Sequence, residues 1–309
     1  MKFLALLAAL AFEQAWPLRR ENPAHAGYAS YAATLQHHFD AGQYRQGVIA
    51  WLLAAVPLVV AVFLIGFFLA RWSVVLGWLW SAVVVYVAVG FRQFSHYFNE
   101  IQMALQDGNL NGARDLLARW RTEPAAELSS GEVSRVSIEL GLAESHRNVF
   151  GPIAWFAVLG PAGAILYRVA TVLRTQWASR AEPDAGDAGE FGRFAERAFY
   201  YIDWLPARLT AVSFAAVGNF QDAVDCWRAQ ARAWADEAQG VVLASGAGAL
   251  GVKLGGELHE YGRVRYRPEL GTGDDADTDY MRAAVGLIWR ALVTWMFLMF
   301  IVTLAYSLG

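Results

Sequence analysis

Two uncharged runs of bilayer length constrain this chain of 309 residues more than any other feature of its sequence. Residues 48–70 and 72–90 contain no Asp, Glu, Lys or Arg, and a single residue, Arg71, separates them. A transmembrane helix needs about 20 consecutive, mostly apolar residues, so each run is long enough to cross a bilayer. The pattern predicts two transmembrane helices joined by a tight turn.

Further apolar segments extend the prediction to an integral membrane protein, embedded in the lipid bilayer as a single domain over 1–309. The 13 tryptophans agree with this, because indole rings favour the bilayer interface. Lys2 and the short apolar core after it also resemble a signal peptide, but we favour a retained helix because Glu13 follows that core directly. The additional membrane segments that we predict are 3–16, 149–173, 198–217 and 286–308.

The polar segments 92–148 and 218–282 have the periodicity of helices. In "FNEIQMALQDGNLNGARDLLARW" apolar residues recur at helical spacing on both sides of a turn at Gly108. This predicts a helical hairpin with Gly108 in the left-handed conformation that ends the first helix. The pattern Gly-Asn-(Leu/Phe)-x-x-Ala occurs at 108–113 and again at 218–223, which predicts a second such device. We recognise no strand alternation, so the predicted fold class is all-α, with helical hairpins in the cytoplasmic segments.

The distribution of basic residues predicts an orientation in the membrane. The segments on one predicted face hold 16 Lys and Arg, and those on the other face hold 6. Cytoplasmic segments of membrane proteins carry the excess of basic residues, so the first face is predicted to be cytoplasmic. The two sets are 17–47, 92–148 and 221–282 against residue 2, residue 71 and 174–197.

Composition and motifs argue against several classes of site. A net charge of −3 gives no electrostatic reason to expect a nucleic-acid partner. Cys226 is the only cysteine, so an intrachain disulfide or a CxxC metal site cannot form. His37 and His38 are adjacent, and on a helix they point in different directions rather than forming an i,i+4 metal pair. We expect no metal site, and the catalytic residues remain unknown.

The middle of the apolar stretch 195–220 contains two charged residues and a proline, which is unexpected in a membrane segment. Asp203, Pro206 and Arg208 lie within six residues, although charged side chains at membrane depth are costly unless they are paired. Pro206 lacks an N–H, so we expect it to end or kink a helix and to free backbone groups that need polar partners. Two interpretations remain open: a polar pocket that opens to the cytoplasm, or a buried ion pair of Asp203 with Arg208.

Other residues could belong to the same candidate pocket for a small anionic ligand. Glu144 and Arg168 flank the predicted segment 149–173, although a charged helix end and an arginine that reaches the interface would look the same. Lys253 follows the richest glycine run of the chain, 245–256. Backbone N–H groups in such a run can contact phosphate, but this spacing matches no phosphate-loop pattern. The candidates for that weaker backbone contact are Gly246, Gly248 and Gly251.

Four motifs together resemble the CobD/CbiB family of cobalamin-biosynthesis membrane proteins. They are "MALQDGNLNGARDLLARW", "GPAGAILYR", "PARLTA" and "GALGVKLGG", which occur in the order of that family between about residues 91 and 260. The resemblance implies a multi-pass protein of the bacterial inner membrane. It also implies an adenosylcobinamide-phosphate synthase, which joins an amino-alcohol phosphate to a corrinoid carboxylate with ATP and Mg²⁺.

Departures from that family's pattern leave two functions open. The chain has "ATVL" at 170–173 and Phe199-Tyr200 where the family carries polar and acidic residues, and Asp203 where it carries Asn. The stretches "LLAALAFEQAWPLR" (6–19) and "IDWLPARL" (202–209) resemble the AmpE proteins instead. We expect a divergent member that binds a small anionic ligand or acts in regulation. The alternative is an active synthase with a corrinoid substrate, and a ligand-free membrane scaffold is a third possibility.

Overall fold

A computed structural model describes residues 2–16, 23–40, 43–178 and 189–308. The chain divides into two compact units. The first comprises Met1–Gly90, Gly151–Pro206 and Val302–Gly309, and the second comprises Phe91–Phe150 and Ala207–Ile301. In chain order the helices are α1 (Lys2–Ala15), α2 (Pro23–Phe39), α3 (Tyr44–Trp72), α4 (Val74–Ala88), α5 (Phe91–Gln106), α6 (Leu110–Arg121), α7 (Ser130–Ser145), α8 (Gly151–Leu159), α9 (Pro161–Ala178), α10 (Gly189–Val217), α11 (Phe220–Gln230), α12 (Glu237–Leu250) and α13 (Thr278–Leu308).

The core of the first unit forms where α3 packs against α2, α4 and α9. Small residues at Ala50, Ala54 and Ala55 are buried on α3 and let the neighbouring helices approach closely. Large rings fill the space beyond them, including Trp51 and Tyr167. The opposite side of α3 is exposed and apolar, as expected for a helix surrounded by lipid.

Among the described residues, two helices are long and apolar enough to cross a membrane. They are α3, with 29 residues, and the part of α13 at Thr278–Ala305, with 28 residues. The helix α4, which covers most of the predicted segment 72–90, is apolar but shorter. Length and composition therefore support membrane crossing for part of the predicted set.

The predicted segment 149–173 is divided in the structure. A π-helical turn, His146–Phe150, leads into α8, and α8 ends before Gly160. Gly160 has φ of +68°, a left-handed conformation that suits glycine, and Pro161 then begins α9. The chain thus forms two helices here rather than one.

Of the two outcomes expected at Pro206, an end of the helix is wrong, because α10 continues through it from Gly189 to Val217. A kink stays a prediction. A proline has no N–H to donate to the carbonyl four residues earlier, which here belongs to Ile202. The indole Nε1 of Trp155 donates to that carbonyl at 3.0 Å. A tryptophan from α8 thus satisfies the backbone group that Pro206 leaves free, so the helix need not end.

In the second unit, the repeated Gly-Asn pattern has a capping role. Gly108 adopts the predicted left-handed conformation, with φ of +73°. The side chain of Asn109 accepts from the N–H of Gly112 at 2.9 Å and begins α6, and Asn219 accepts from Asp222 at 3.3 Å and begins α11. Both asparagines therefore satisfy an N–H of a first helical turn that has no partner within the helix.

The all-α prediction is wrong for part of 218–282, where two antiparallel strands form. They are β1 (Leu254–Glu260) and β2 (Arg263–Leu270). The loop between them has two residues, Tyr261 and Gly262, with φ of +54° and +67°. A two-residue loop with both φ values positive matches the twist of a β-hairpin. The alternation in "RVRYR" (263–267) is a sequence signal for β2 that we did not recognise.

The helix α7 provides hydrogen-bond partners for the edge of β1 that is not paired with β2. Side chains three and four positions apart on α7 reach alternate backbone groups of β1, so that one helix face takes the place of a third strand. Glu132 accepts from the N–H of His259 at 2.9 Å, Glu139 accepts from the N–H of Gly255 at 2.8 Å, and Arg135 donates to the carbonyl of Glu257.

Candidate functional site

A cavity of about 640 Å³ in the second unit brings three arginines together. Arg208 comes from α10, Arg228 from α11 and Arg232 from the 3₁₀ turn that follows α11. One carboxylate, that of Glu237 at the start of α12, also lines the cavity. The apolar part of the wall consists of Phe220, Val224, Trp227, Ala231 and Val241.

The cavity keeps its shape because α12 packs very closely against α11 and the turn after it. A Cβ at Gly240 would lie 2.2 Å from the carbonyl oxygen of Ala231, and one at Gly248 would lie 2.4 Å from that of Asp222. Those distances leave no room for any side chain. Glycine at both positions therefore sets the spacing between the helices that carry Arg228, Arg232 and Glu237.

The glycines predicted to contact phosphate have packing and capping roles in the structure. Gly246 and Gly248 lie inside α12 and are buried. Gly251 ends α12 with φ of +69°, and its N–H donates to carbonyls of the last turn. A backbone contact to phosphate at these three glycines stays a prediction.

The electrostatics of the cavity favour an anion. Arg208 pairs with Glu237, with 3.2 Å between Nη2 and Oε1. Within the part of the chain that the structure describes, the guanidinium groups of Arg228 and Arg232 form neither an ion pair nor a hydrogen bond. Three arginines and one glutamate give the lining a charge of +2. Two like charges four positions apart also repel each other, and a bound anion would offset that repulsion.

Glu144 and Lys253 also belong to the second unit, but neither lines this cavity. Glu144 accepts from the indole Nε1 of the buried Trp120 at 3.0 Å, so it positions that ring. Lys253 is exposed between α12 and β1, and its backbone N–H donates to the carbonyl of Asp274 at 2.8 Å.

Arg168 and Asp203 lie in the first unit. Asp203 is buried, and its Oδ1 accepts from the hydroxyl of Tyr167 at 2.7 Å. Arg168 follows Tyr167 on α9 and is partly buried. Of the five predicted pocket residues, Arg208 lines the cavity described above. A ligand shared by all five stays a prediction.

Arg228, Arg232 and Trp227 line the cavity but were not predicted from the sequence. They lie in "CWRAQARAW" (226–234), which was interpreted only as the second half of a repeated helical device. The available signal was the spacing of the two arginines, since residues four apart share one helix face. Their convergence with Arg208, which lies 20 residues before Arg228, depends on tertiary packing.

Comparisons with known proteins identify relatives over nearly the whole chain. A family model described as "CobD/Cbib protein" matches residues 5–288. A "Cobalamin biosynthesis protein CobD" from Stutzerimonas stutzeri is 32% identical over 300 residues, which is 95% of each chain. The protein of the same name from Chromobacterium violaceum is 35% identical over 76% of each chain, and the one from Mycobacterium tuberculosis is 28% identical over 79% of each.

No solved structure matches this chain. The relatives above carry the CobD name, and together with the two apolar helices they suggest a membrane protein. The AmpE resemblance of 6–19 and 202–209 stays a prediction, and residues 17–19 of it lie outside the described ranges.

Proposed function

This chain belongs to the CobD/CbiB family, and from that premise we propose that it serves cobalamin biosynthesis as a multi-pass protein of the bacterial inner membrane. Curated relatives named for cobalamin biosynthesis support the pathway. The apolar helices α3 and α13 support the location.

The cavity of Arg208, Arg228 and Arg232 is the observation that carries the biochemical part of the proposal. Its ligand is a small organic anion with a phosphate or carboxylate group. A guanidinium is planar and can donate two parallel hydrogen bonds to either group. Trp227 and Phe220 provide apolar wall for the organic part of the ligand.

The first candidate is a divergent member that binds this anion without the standard synthase reaction. Its support comes from Phe199, which stands where the family carries an acid. Phe199 is buried, its ring lies 5.7 Å from that of Tyr167, and the guanidinium of Arg174 lies 4.9 Å from its centroid. An aromatic side chain thus has a packing role at a position where the family resemblance implies ligand chemistry.

The second candidate is adenosylcobinamide-phosphate synthase activity, which the family resemblance implies. Similarity over 95% of both chains to a protein named for cobalamin biosynthesis supports the pathway in which that reaction would lie. The cavity itself does not fit a magnesium nucleotide. Mg²⁺ is held by one or two carboxylates together with phosphate oxygens and water. Among the described lining residues Glu237 carries the only carboxylate, and it pairs with Arg208. Among the described residues, no three His, Cys, Asp or Glu side chains are grouped as metal ligands. We therefore derive no step through ATP at this cavity.

Anion binding is tested with inorganic phosphate as the probe and the detergent-solubilised full chain. A ligand that binds only the folded state raises the unfolding midpoint as its concentration increases. We expect phosphate to stabilise the wild type at constant ionic strength, and not to stabilise the double variant Arg228→Gln/Arg232→Gln. Arg119→Gln is the matched control, because Arg119 is an exposed arginine on α6 outside the cavity. Equal stabilisation of the double variant would contradict the site.

A product assay separates the two candidates. The purified chain is given adenosylcobyric acid, aminopropanol phosphate, ATP and Mg²⁺, and products are identified by mass spectrometry. The divergent function predicts that no adenosylcobinamide phosphate forms, whereas product formation would establish the second candidate.

A further inference from the structure

An apolar groove on the first unit ends at a single charged residue. The groove has a volume of about 800 Å³ and lies along the C-terminal half of α3. Of the described residues that line it, Arg71 is the only charged one, and the others are Ala61, Leu64, Ile65, Phe68, Leu69 and Trp72. An apolar trough with one cation at its end has the polarity of a site for an anionic amphiphile.

Arg71 has no counter-ion among the residues that the structure describes. Within the described ranges its guanidinium forms no ion pair and no hydrogen bond, and the residue is exposed. The C-terminal end of the α3 dipole favours a cation in this last turn. It does not satisfy the five N–H donors of the guanidinium, which need acceptors from outside the chain.

The dimensions of the groove match one leaflet of a bilayer. Its lining residues extend from Ala61 to Trp72, and at 1.5 Å per residue this corresponds to about 16 Å along the helix. The hydrocarbon core of a bilayer is about 30 Å thick, so one leaflet contributes about 15 Å. Trp72 is 87% exposed beside Arg71, in the position expected for an indole at the headgroup level.

The groove remains open because α4 packs on a different face of α3. The indole of Trp80 lies against Gly66, and Gly77 of α4 lies against Ala70. The groove residues at 61, 65, 68 and 72 point away from these contacts at helical spacing.

We propose that this groove binds an anionic phospholipid, with an acyl chain along α3 and the headgroup phosphate at Arg71. The charge of Arg71 and the length of one leaflet together select this occupant. The inference rests on the proposed membrane location, but it is independent of anion binding at Arg228 and Arg232, so either can fail alone.

The test is native mass spectrometry of the delipidated full chain, titrated with phosphatidylglycerol or with phosphatidylcholine. A basic residue near the headgroups contributes about 1 kcal/mol toward an anionic lipid, so we expect about a fivefold preference for phosphatidylglycerol. Arg71→Gln should abolish the preference and Arg71→Lys should keep it. Arg45→Gln, which removes the same charge from the other end of α3, should leave it unchanged.

Three results would overturn the proposal. The first is an absence of preference in the wild type, and the second is a preference that survives Arg71→Gln. The third is competition by free inorganic phosphate, which would show a site for soluble anions. Ala61→Trp provides an independent arm, because a large ring in the groove should weaken binding of both lipids while the headgroup preference remains. Unchanged binding in that variant, or a dimer that forms as lipid is removed, would also contradict a lipid in this groove.

Discussion

The hydrogen bond from Trp155 to the carbonyl of Ile202 should have a measurable coupling to Pro206. Trp155→Phe removes the indole N–H, and that carbonyl then loses the donor that replaces the missing N–H of the proline. A buried carbonyl without a partner costs about 1–3 kcal/mol. Because Trp155 and Ile202 are only partly buried, we expect the lower part of that range, about 1–2 kcal/mol, beyond any loss of ring packing.

Pro206→Ala supplies the control within the same helix. Alanine restores an N–H that can donate to Ile202 in the α-helical pattern, so Trp155→Phe should cost about 1 kcal/mol less in that background. The loss of ring packing is the same in both backgrounds, and the difference between them isolates the hydrogen bond. The assay is the free energy of unfolding in mixed detergent micelles for the wild type, both single variants and the double variant.

Equal costs of Trp155→Phe in the two backgrounds would refute this account of α10. It would mean that the helix continues through Pro206 for another reason, and that the indole contributes only its ring. A larger cost of Trp155→Phe in the Pro206→Ala background would refute it as well. The carbonyl of Ile202 has the N–H of the substituted alanine as a second donor in that background, so loss of the indole should matter less there.

Three further predictions concern the second unit. Glu139→Gln should destabilise the protein by about 3 kcal/mol in chemical denaturation, because the buried Glu139 accepts from the partly buried Arg267 on both carboxylate oxygens, at 2.6 and 3.0 Å; a loss below about 1 kcal/mol would contradict this. The hydrogen bond to Glu132 raises the pKa of His259. For Glu132, burial alone would raise the pKa, but its hydrogen bonds to Ser129 and His259 outweigh burial and lower the pKa to about 2. The stabilisation of the fold by charged His259 should therefore be complete below about pH 6.5 and should be lost as pH rises through its raised pKa. The stabilisation by ionised Glu132 should be lost only as pH falls from about 4.5 toward 2. His259→Gln should lower the melting temperature more at pH 5.5 than at pH 8.5, and equal effects would contradict the pairing. Gly248→Ala should destabilise the protein and abolish stabilisation by phosphate, since its Cβ would lie 2.4 Å from a carbonyl of α11; wild-type behaviour in both measurements would contradict the packing role.

Local features of the fold could be predicted where one physical requirement dominates. The absence of charge over 48–70 predicts the long helix α3, and Gly108 predicts a helix end because few other residues tolerate a positive φ. That α10 continues through Pro206 could not be predicted, because the carbonyl that the proline frees is satisfied by Trp155, which lies 51 residues earlier and whose position only the tertiary fold determines.

The β-hairpin and the cavity were missed for a related reason. Strand β2 is mostly exposed and has no buried apolar face, and charged side chains of α7 hold the hairpin through contacts whose partners neither segment's sequence reveals alone. The four-residue spacing of Arg228 and Arg232 was visible in the sequence, but Arg208 joins them only through the packing of α10, α11 and α12. Four motifs in a fixed order identified the family correctly, whereas a cavity built from distant segments required the structure.

Cobalamin content in the host bacterium tests the central claim most directly. The gene for this chain is deleted and then restored as the wild type, as Arg228→Gln/Arg232→Gln or as the control Arg119→Gln, with equal amounts of protein verified in the membrane fraction. Our account predicts that cobalamin falls in the deletion strain, recovers with the wild type and the control, and stays low with the double variant. Unchanged cobalamin in the deletion strain, or full recovery with the double variant, would contradict it.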